Sequence, residues 1–354
     1  MSTATVATRE YDRTMAAMAE EQLAQLLMVG FTGPEPDEDA WRFLMETPPG
    51  SLLLFKHNIT SQEQIASLLE RIQDHCQRPA IPPILVATDQ EGGRVARLSG
   101  DIGFPVSPSA ASLAQSPNAI DVVRQATGKT AEALRWLGIT MNLAPVLDVV
   151  TDPDNRVIGD RSFGSDPEIV ARLGEVAIRA IQAEGVVATA KHFPGHGPTS
   201  VDSHLNLPVI ATSRPELGLI HMRPFRTAIE AGVGAIMTAH AVYPALDAET
   251  PATLSRPILT DILRNELQYD GLIVTDSLTM QAISRHQSVP EACVAAFHAG
   301  ADLLMVPASP TLYRQCLAAL TDALAHGHIT EEQVSRSVER IRWAREWVYT
   351  GGPQ

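Results

Sequence analysis

The segment KHFPGHGPTSVDSH, residues 191 to 204, gathers three histidines, a lysine and a carboxylate in a stretch rich in Gly, Pro, Ser and Thr. Such a composition cannot continue a helix, so it reads as a long βα loop opening directly after the apolar run VVATA. Three chemistries fit it. His192, His196, His204 and Asp202 have the donor types of a metal site, but Pro194 and Gly195 separate His192 from His196, so this i, i+4 pair cannot share a helix face as the pair in HExxH does. Loop histidines can instead tie down backbone, which suits His196 between its two glycines. Asp202 and His204 flank one residue, so in an extended loop both side chains point the same way, and the carboxylate can orient and charge the imidazole for proton transfer.

Further polar groups stand where apolar runs end. Asp89, Gln90 and Glu91 follow one run, Asp148 and NRVIGDRSFG another, and His240 and Asp276 two more. One carboxylate at such a junction is most simply a helix cap or a strand-end contact. Several at one rim point to a site. Asp148 reads as a structural strand-end carboxylate, His196 and His240 as loop or rim residues, and Gly92-Gly93 as a sharp turn.

The elements that must position these groups are short, nearly continuous apolar runs of the kind expected for parallel strands buried on both faces. There are eight: Leu26 to Phe31, Ser51 to Phe55, Ile84 to Thr88, Thr140 to Leu143, Val186 to Ala190, Ala235 to Thr238, Leu272 to Thr275 and Asp302 to Val306. Helical spacing fills the intervals, with start signals at Ser61, Ser116-Pro117 and Asp166-Pro167, and later helices expected over 214–231, 256–267, 290–298, 311–326 and 331–347. Eight such alternations predict an α/β fold, a single (β/α)8 TIM barrel, with catalytic groups at the C-terminal ends of its strands. An open doubly wound sheet would carry a GxGxxG loop after an early strand, and DQEGGRV is not one.

Composition narrows the partners. With 27 Lys+Arg against 41 Asp+Glu, the 354-residue chain carries a formal charge of -14 and shows no basic patch, so neither nucleic acid nor an anionic membrane surface is an expected partner. Cys76, Cys293 and Cys316 are widely spaced without a CxxC pair, which suggests reduced thiols. The charged N-terminus lacks an apolar signal region and no stretch of 18 apolar residues follows, so the expected location is the cytoplasm.

KHFPGHG followed by DSH, with DQEGGRVARL at 89 to 98, VIGDRSFG at 157 to 164 and VTDSL at 274 to 278, resembles the family 3 glycoside hydrolases, and most closely their single-domain β-N-acetylglucosaminidases of the NagZ type. That resemblance implies a (β/α)8 barrel without cofactor or metal, which removes a terminal β-linked N-acetylglucosamine with retention of configuration. It assigns Asp276 as nucleophile, His204 as acid/base and Asp202 as its assistant. Asp89, Arg97, Arg161, Lys191 and His192 would bind the terminal sugar. The arginines read equally well as surface residues or partners of carboxylates such as Asp160. Physically the assignment is coherent: an Asp with a reference pKa of ~3.9 is ionised at neutral pH, and an imidazole at ~6.5 exchanges protons there without burial.

Residues 1–20 are then an N-terminal extension and 21–354 the catalytic barrel. The resemblance further implies peptidoglycan fragments, the N-acetylglucosaminyl-anhydromuramyl peptides, as substrates; the oligomeric state is open. A phosphorylase competes, because a histidine shuttle would let phosphate approach a glycosyl-enzyme. A non-catalytic sugar-binding barrel would be expected to lack Asp276, Asp202 or His204, all present here. A metal-dependent amidohydrolase is disfavoured by the spacing of the loop histidines.

Overall fold

The computed structural model describes residues 18–78, 81–199, 206–307 and 309–350. All eight expected strands are present: β1 (Leu27–Val29), β2 (Ser51–Leu54), β3 (Leu85–Thr88), β4 (Met141–Asn142), β5 (Val187–Phe193), β6 (Ala235–Thr238), β7 (Leu272–Val274) and β8 (Leu304–Val306). They pair in parallel in the order β7-β6-β5-β4-β3-β2-β1-β8. Between β7 and β8 the ladder thins to an isolated bridge from Val274 to Leu303. The Thr275 N–H donates to the Leu303 carbonyl at 3.0 Å, and the Met305 N–H donates to the Thr275 hydroxyl at 2.9 Å. These contacts close the sheet into a (β/α)8 barrel. Every residue of β1, β2, β3, β7 and β8 is buried, which explains why the strands read as continuous apolar runs.

Helices begin where short polar side chains satisfy first-turn N–H groups. Ser61 accepts from Gln64 N ahead of Gln62–Cys76, Asp166 from Glu168 N and Ile169 N ahead of Pro167–Ala183, and Ser288 forms a reciprocal pair with Glu291 ahead of Val289–Ala299. The helix expected after Ser116-Pro117 starts at Ala119. The one expected over 214–231 is broken. A wide turn, Leu217–His221, separates Arg214–Glu216 from Arg223–Glu230, because Pro224 has no N–H to continue the ladder and Met222 N–H reaches back to the Leu217 carbonyl instead. A helix over Glu38–Glu46 and hairpins at Gln90–Gly92 with Val95–Ala96 and at Val242–Tyr243 with Asp247–Pro251 were not foreseen. Among the described residues no helix is long and apolar enough to cross a membrane. The three cysteines are free and buried.

The end of the barrel where strands begin is tied by one cation. Arg345, on the last described helix Glu331–Thr350, is 1% exposed and donates to the carbonyls of Pro49 (2.9 Å) and Gly50 (2.8 Å) at the entrance to β2. Burial lowers its pKa to about 10. Replacing it deprives the Pro49 carbonyl of its donor and leaves the Gly50 carbonyl with only the Leu85 N–H at 3.3 Å, so Arg345→Met should lower the unfolding free energy by about 1–3 kcal/mol. Urea denaturation measures this; an unchanged midpoint and slope would mean that water takes over the guanidinium's bonds.

Candidate active site

A cavity of about 470 Å3 opens at the C-terminal ends of the strands, and Asp89, Arg97, Arg161, Lys191, His192 and Asp276 all line it. Six residues spread over 188 positions of sequence thus meet in one place. Asp202 and His204 lie outside the described residues.

At the floor is a buried ionic cluster. The sequence reading began the loop at Lys191, but the structure extends β5 through Phe193, with an irregular register against β6, so Lys191 is a strand residue only 2% exposed. A buried ammonium must be paired. Its Nζ lies 2.8 Å from Asp89 Oδ1 and 2.7 Å from Glu91 Oε1. Arg97 Nη2 donates to Asp89 Oδ2 at 3.0 Å, and Arg161 grips Glu91 through two bonds of 2.8 Å. Three cations therefore face two carboxylates. Burial acts to raise both carboxyls, but the Lys191 charge, with Arg97 at Asp89 and Arg161 at Glu91, outweighs it and holds both below their ordinary range. Arg161 pairs with Glu91 and not with Asp160, which Arg94 takes at 2.8 Å while also donating to the carbonyls of Arg156, Val157 and Ile158.

Local sequence explains how Asp89 and Glu91 both turn inward. Gln90 is pinned, its Oε1 accepting from the N–H groups of Arg97 (2.9 Å) and Leu98 (3.0 Å). Gly92 and Gly93 then reverse the chain with φ of 100° and 56°, a conformation that other residues rarely adopt.

Asp148, read as a structural carboxylate, is the hub beneath His192. It is fully buried, accepts from His192 Nδ1 at 2.7 Å, and also accepts from the backbone N–H groups of His192 (3.2 Å) and His196 (2.6 Å). Burial would raise its pKa, but the His192 charge and hydrogen bond bring it to about 2. The carboxylate fixes the Nδ1–H tautomer, leaving Nε2 for the cavity that the ring lines. Gly197 follows so close to Val149 that a Cβ would stand 1.7 Å from its carbonyl oxygen. His196 and His221 are buried, and among the described residues neither nitrogen of either ring has a hydrogen-bond partner.

Asp276 follows β7. The Ser277 N–H donates to its Oδ1 at 2.7 Å, leaving Oδ2 for the cavity. Burial opposes ionisation here, yet the charges of His240 and His192 and the Ser277 bond lower its pKa. The carboxylate can act as a nucleophile. His240, expected at the rim, is 1% exposed and stands on the same wall. Glu91 and His240 are functional candidates that local sequence does not single out: Glu91 meets Arg161 and Lys191 70 and 100 positions on, and His240 meets Thr253 and Ser277 13 and 37 positions on, at spacings that carry no periodic signal. Among the described residues no group of three or more His, Cys, Asp or Glu could hold a metal ion.

The profile of the glycosyl hydrolase family 3 N-terminal domain matches residues 18–343. A Beta-hexosaminidase A from Pseudoalteromonas piscicida is 36% identical over 91% of this chain, which spans 60% of that protein. A Beta-hexosaminidase from Thiobacillus denitrificans is also 36% identical, over 83% of this chain and 81% of its own length. Among solved structures, a family 3 β-N-acetylglucosaminidase from Paenibacillus sp. superposes with a TM-score of 0.89 at 40% identity, covering 95% of this chain and 63% of that one. A family 3 glycosyl hydrolase from Mycobacterium smegmatis gives 0.83 at 32% identity, covering 92% and 96%.

The unpartnered histidines make stability depend on acidity. Burial lowers His196 and His221 from 6.5 to about 4. Above pH 6.5 both are neutral, folded or unfolded, and contribute nothing. As the pH falls from 6.5 to about 4 the unfolded chain binds protons that the folded one refuses, so stability drops, by up to about 3 kcal/mol per histidine. The loss at Asp148 comes lower, between 3.8 and about 2. Thermal unfolding of His221→Leu should therefore show a shallower decline between pH 6.5 and 4 than the parent; an identical slope would refute the assignment.

Proposed function

The chain belongs to glycosyl hydrolase family 3, and from that premise we propose that it is a retaining exo-β-N-acetylglucosaminidase. The observation that carries the reading is the convergence of Asp276 and the buried cluster on one cavity. A sugar seated against Asp89, Lys191, His192 and the two arginines would present its first carbon to Asp276 Oδ2. That oxygen attacks C1 as the bond from C1 to the leaving oxygen breaks, and His204, oriented by Asp202, gives the leaving oxygen a proton. The imidazole then takes a proton from water, whose oxygen displaces Asp276 from C1. Two inversions return the original configuration.

The substrates we propose are peptidoglycan fragments, N-acetylglucosaminyl-anhydromuramyl peptides, acted on in the cytoplasm by a barrel comprising residues 21–354, with 1–20 as an extension. The names of the relatives, hexosaminidases and acetylglucosaminidases, support the amino sugar. The muropeptide rests on the motif resemblance. Phosphorolysis is the second reading, favoured by the imidazole in the proton-transfer role.

Product analysis on a defined disaccharide-peptide and on chitobiose, with and without phosphate, tests these readings together. The expected first product is β-configured N-acetylglucosamine, seen by proton NMR before mutarotation, and its rate should be indifferent to phosphate. N-acetylglucosamine 1-phosphate as main product would establish the phosphorylase instead. Asp276→Ala should reduce turnover by at least about 1,000-fold with the fold intact; retained turnover would remove Asp276 as nucleophile. Glu91→Gln leaves Lys191 and Arg161 underpaired and should lower kcat/KM by about 10- to 100-fold. An unchanged value would mean that Glu91 only fills space.

A further inference from the structure

The proposed chemistry leaves two described histidines of the cavity unused, His196 and His240, and only the second stands beside Asp276 with both ring nitrogens engaged. His240 stands two residues past β6, and its ring is held at both ends. Nε2 lies 2.9 Å from the Ser277 carbonyl oxygen, which can only accept, so Nε2 carries a proton. Nδ1 lies 2.7 Å from the Thr253 hydroxyl. That hydroxyl has one proton to give and two lone pairs to fill. It is 3.0 Å from the Ala239 carbonyl, another pure acceptor, and 2.8 Å from the Thr238 hydroxyl. If Thr253 donates to Ala239, one lone pair takes the Thr238 proton and the other takes an Nδ1 proton, and all three contacts become hydrogen bonds. A neutral ring with its proton on Nε2 would draw the Thr253 proton to Nδ1 and leave the Ala239 contact without one.

A buried imidazolium needs a counter-charge nearby. Asp276 provides it, and among the described residues His192 and Lys191 also face that carboxylate. Resting on the reading of Asp276 as nucleophile, we infer that His240 is its positioning residue: doubly protonated between Thr253 and the Ser277 carbonyl, it fixes Ser277 and sets a positive charge beside the carboxylate. Ser277 is the residue whose N–H holds Asp276 Oδ1, so the clamp on its carbonyl also restrains the carboxylate's aim.

Hydrolysis of p-nitrophenyl N-acetyl-β-D-glucosaminide by the parent, His240→Ala, His240→Gln and Thr253→Val separates this inference from the reading beneath it. A parent that does not turn over overturns the underlying reading. With an active parent, His240→Ala should lower kcat by about 30-fold or more while KM changes less than about threefold. His240→Gln, which restores a donor toward Ser277 but no charge, should recover part of kcat while the acid limb of kcat/KM moves up, as Asp276 loses its cationic neighbour. Thr253→Val should shift both in the same direction by less. Independently of activity, proton-detected NMR of 15N-histidine protein at pH 7 should show both nitrogens of one ring protonated, with that signal absent from His240→Gln. A kcat within threefold of the parent in folded His240→Ala, or a neutral-ring pattern for His240, would overturn the inference; if the alanine variant does not fold, Thr253→Val and the NMR signal decide it.

Discussion

An ammonium group almost wholly withdrawn from water governs the architecture around the cavity. Lys191 enters the interior at the end of β5, and leaving it unpaired would cost several kcal/mol, a large share of a domain's stability. Two carboxylates must therefore reach it from another strand. Asp89 and Glu91 do so only because Gln90 is pinned between them and because the glycine pair turns the chain back at once. Glu91 in turn needs Arg161, and Arg161 needs its loop held, which Arg94 does through three successive carbonyls. Each demand follows from the one before it.

The barrel was legible in the sequence because its strands are buried on both faces and so read as unbroken apolar runs. That rule failed where the interior turned ionic. Lys191 and His192 read both as the close of an apolar strand and as the first residues of the 191–204 loop, and the structure makes them strand, because Asp89, Glu91 and Asp148 neutralise or bind them. Helix spacing likewise predicted one element over 214–231 and could not weigh Pro224 against it.

The site was legible in its membership more than in its wiring. Asp89, Arg97, Arg161, Lys191, His192 and Asp276 share the cavity as the motifs suggested. Which carboxylate answers which cation was not readable: Asp160, adjacent to Arg161, is the obvious partner by spacing, and the fold gives it to Arg94 instead. Asp148 could be recognised as structural, but that it serves His192 and the backbone of His196 together depends on a three-dimensional meeting of β5 with the segment after β4. Pairings across 40 to 100 residues leave no period in the chain.

The thin joint between β7 and β8 has its own bearing on the nucleophile. Asp276 issues from the stave that has a full ladder on one side only, and on the other the Thr275 hydroxyl stands in for a missing rung. The hoop is thus closed by a few backbone bonds and one side chain, next to the group whose aim tolerates the least error. Breathing of the wall at that fastening would translate directly into wander of the attacking oxygen, so the tightness of this closure and the fidelity of the chemistry are one property.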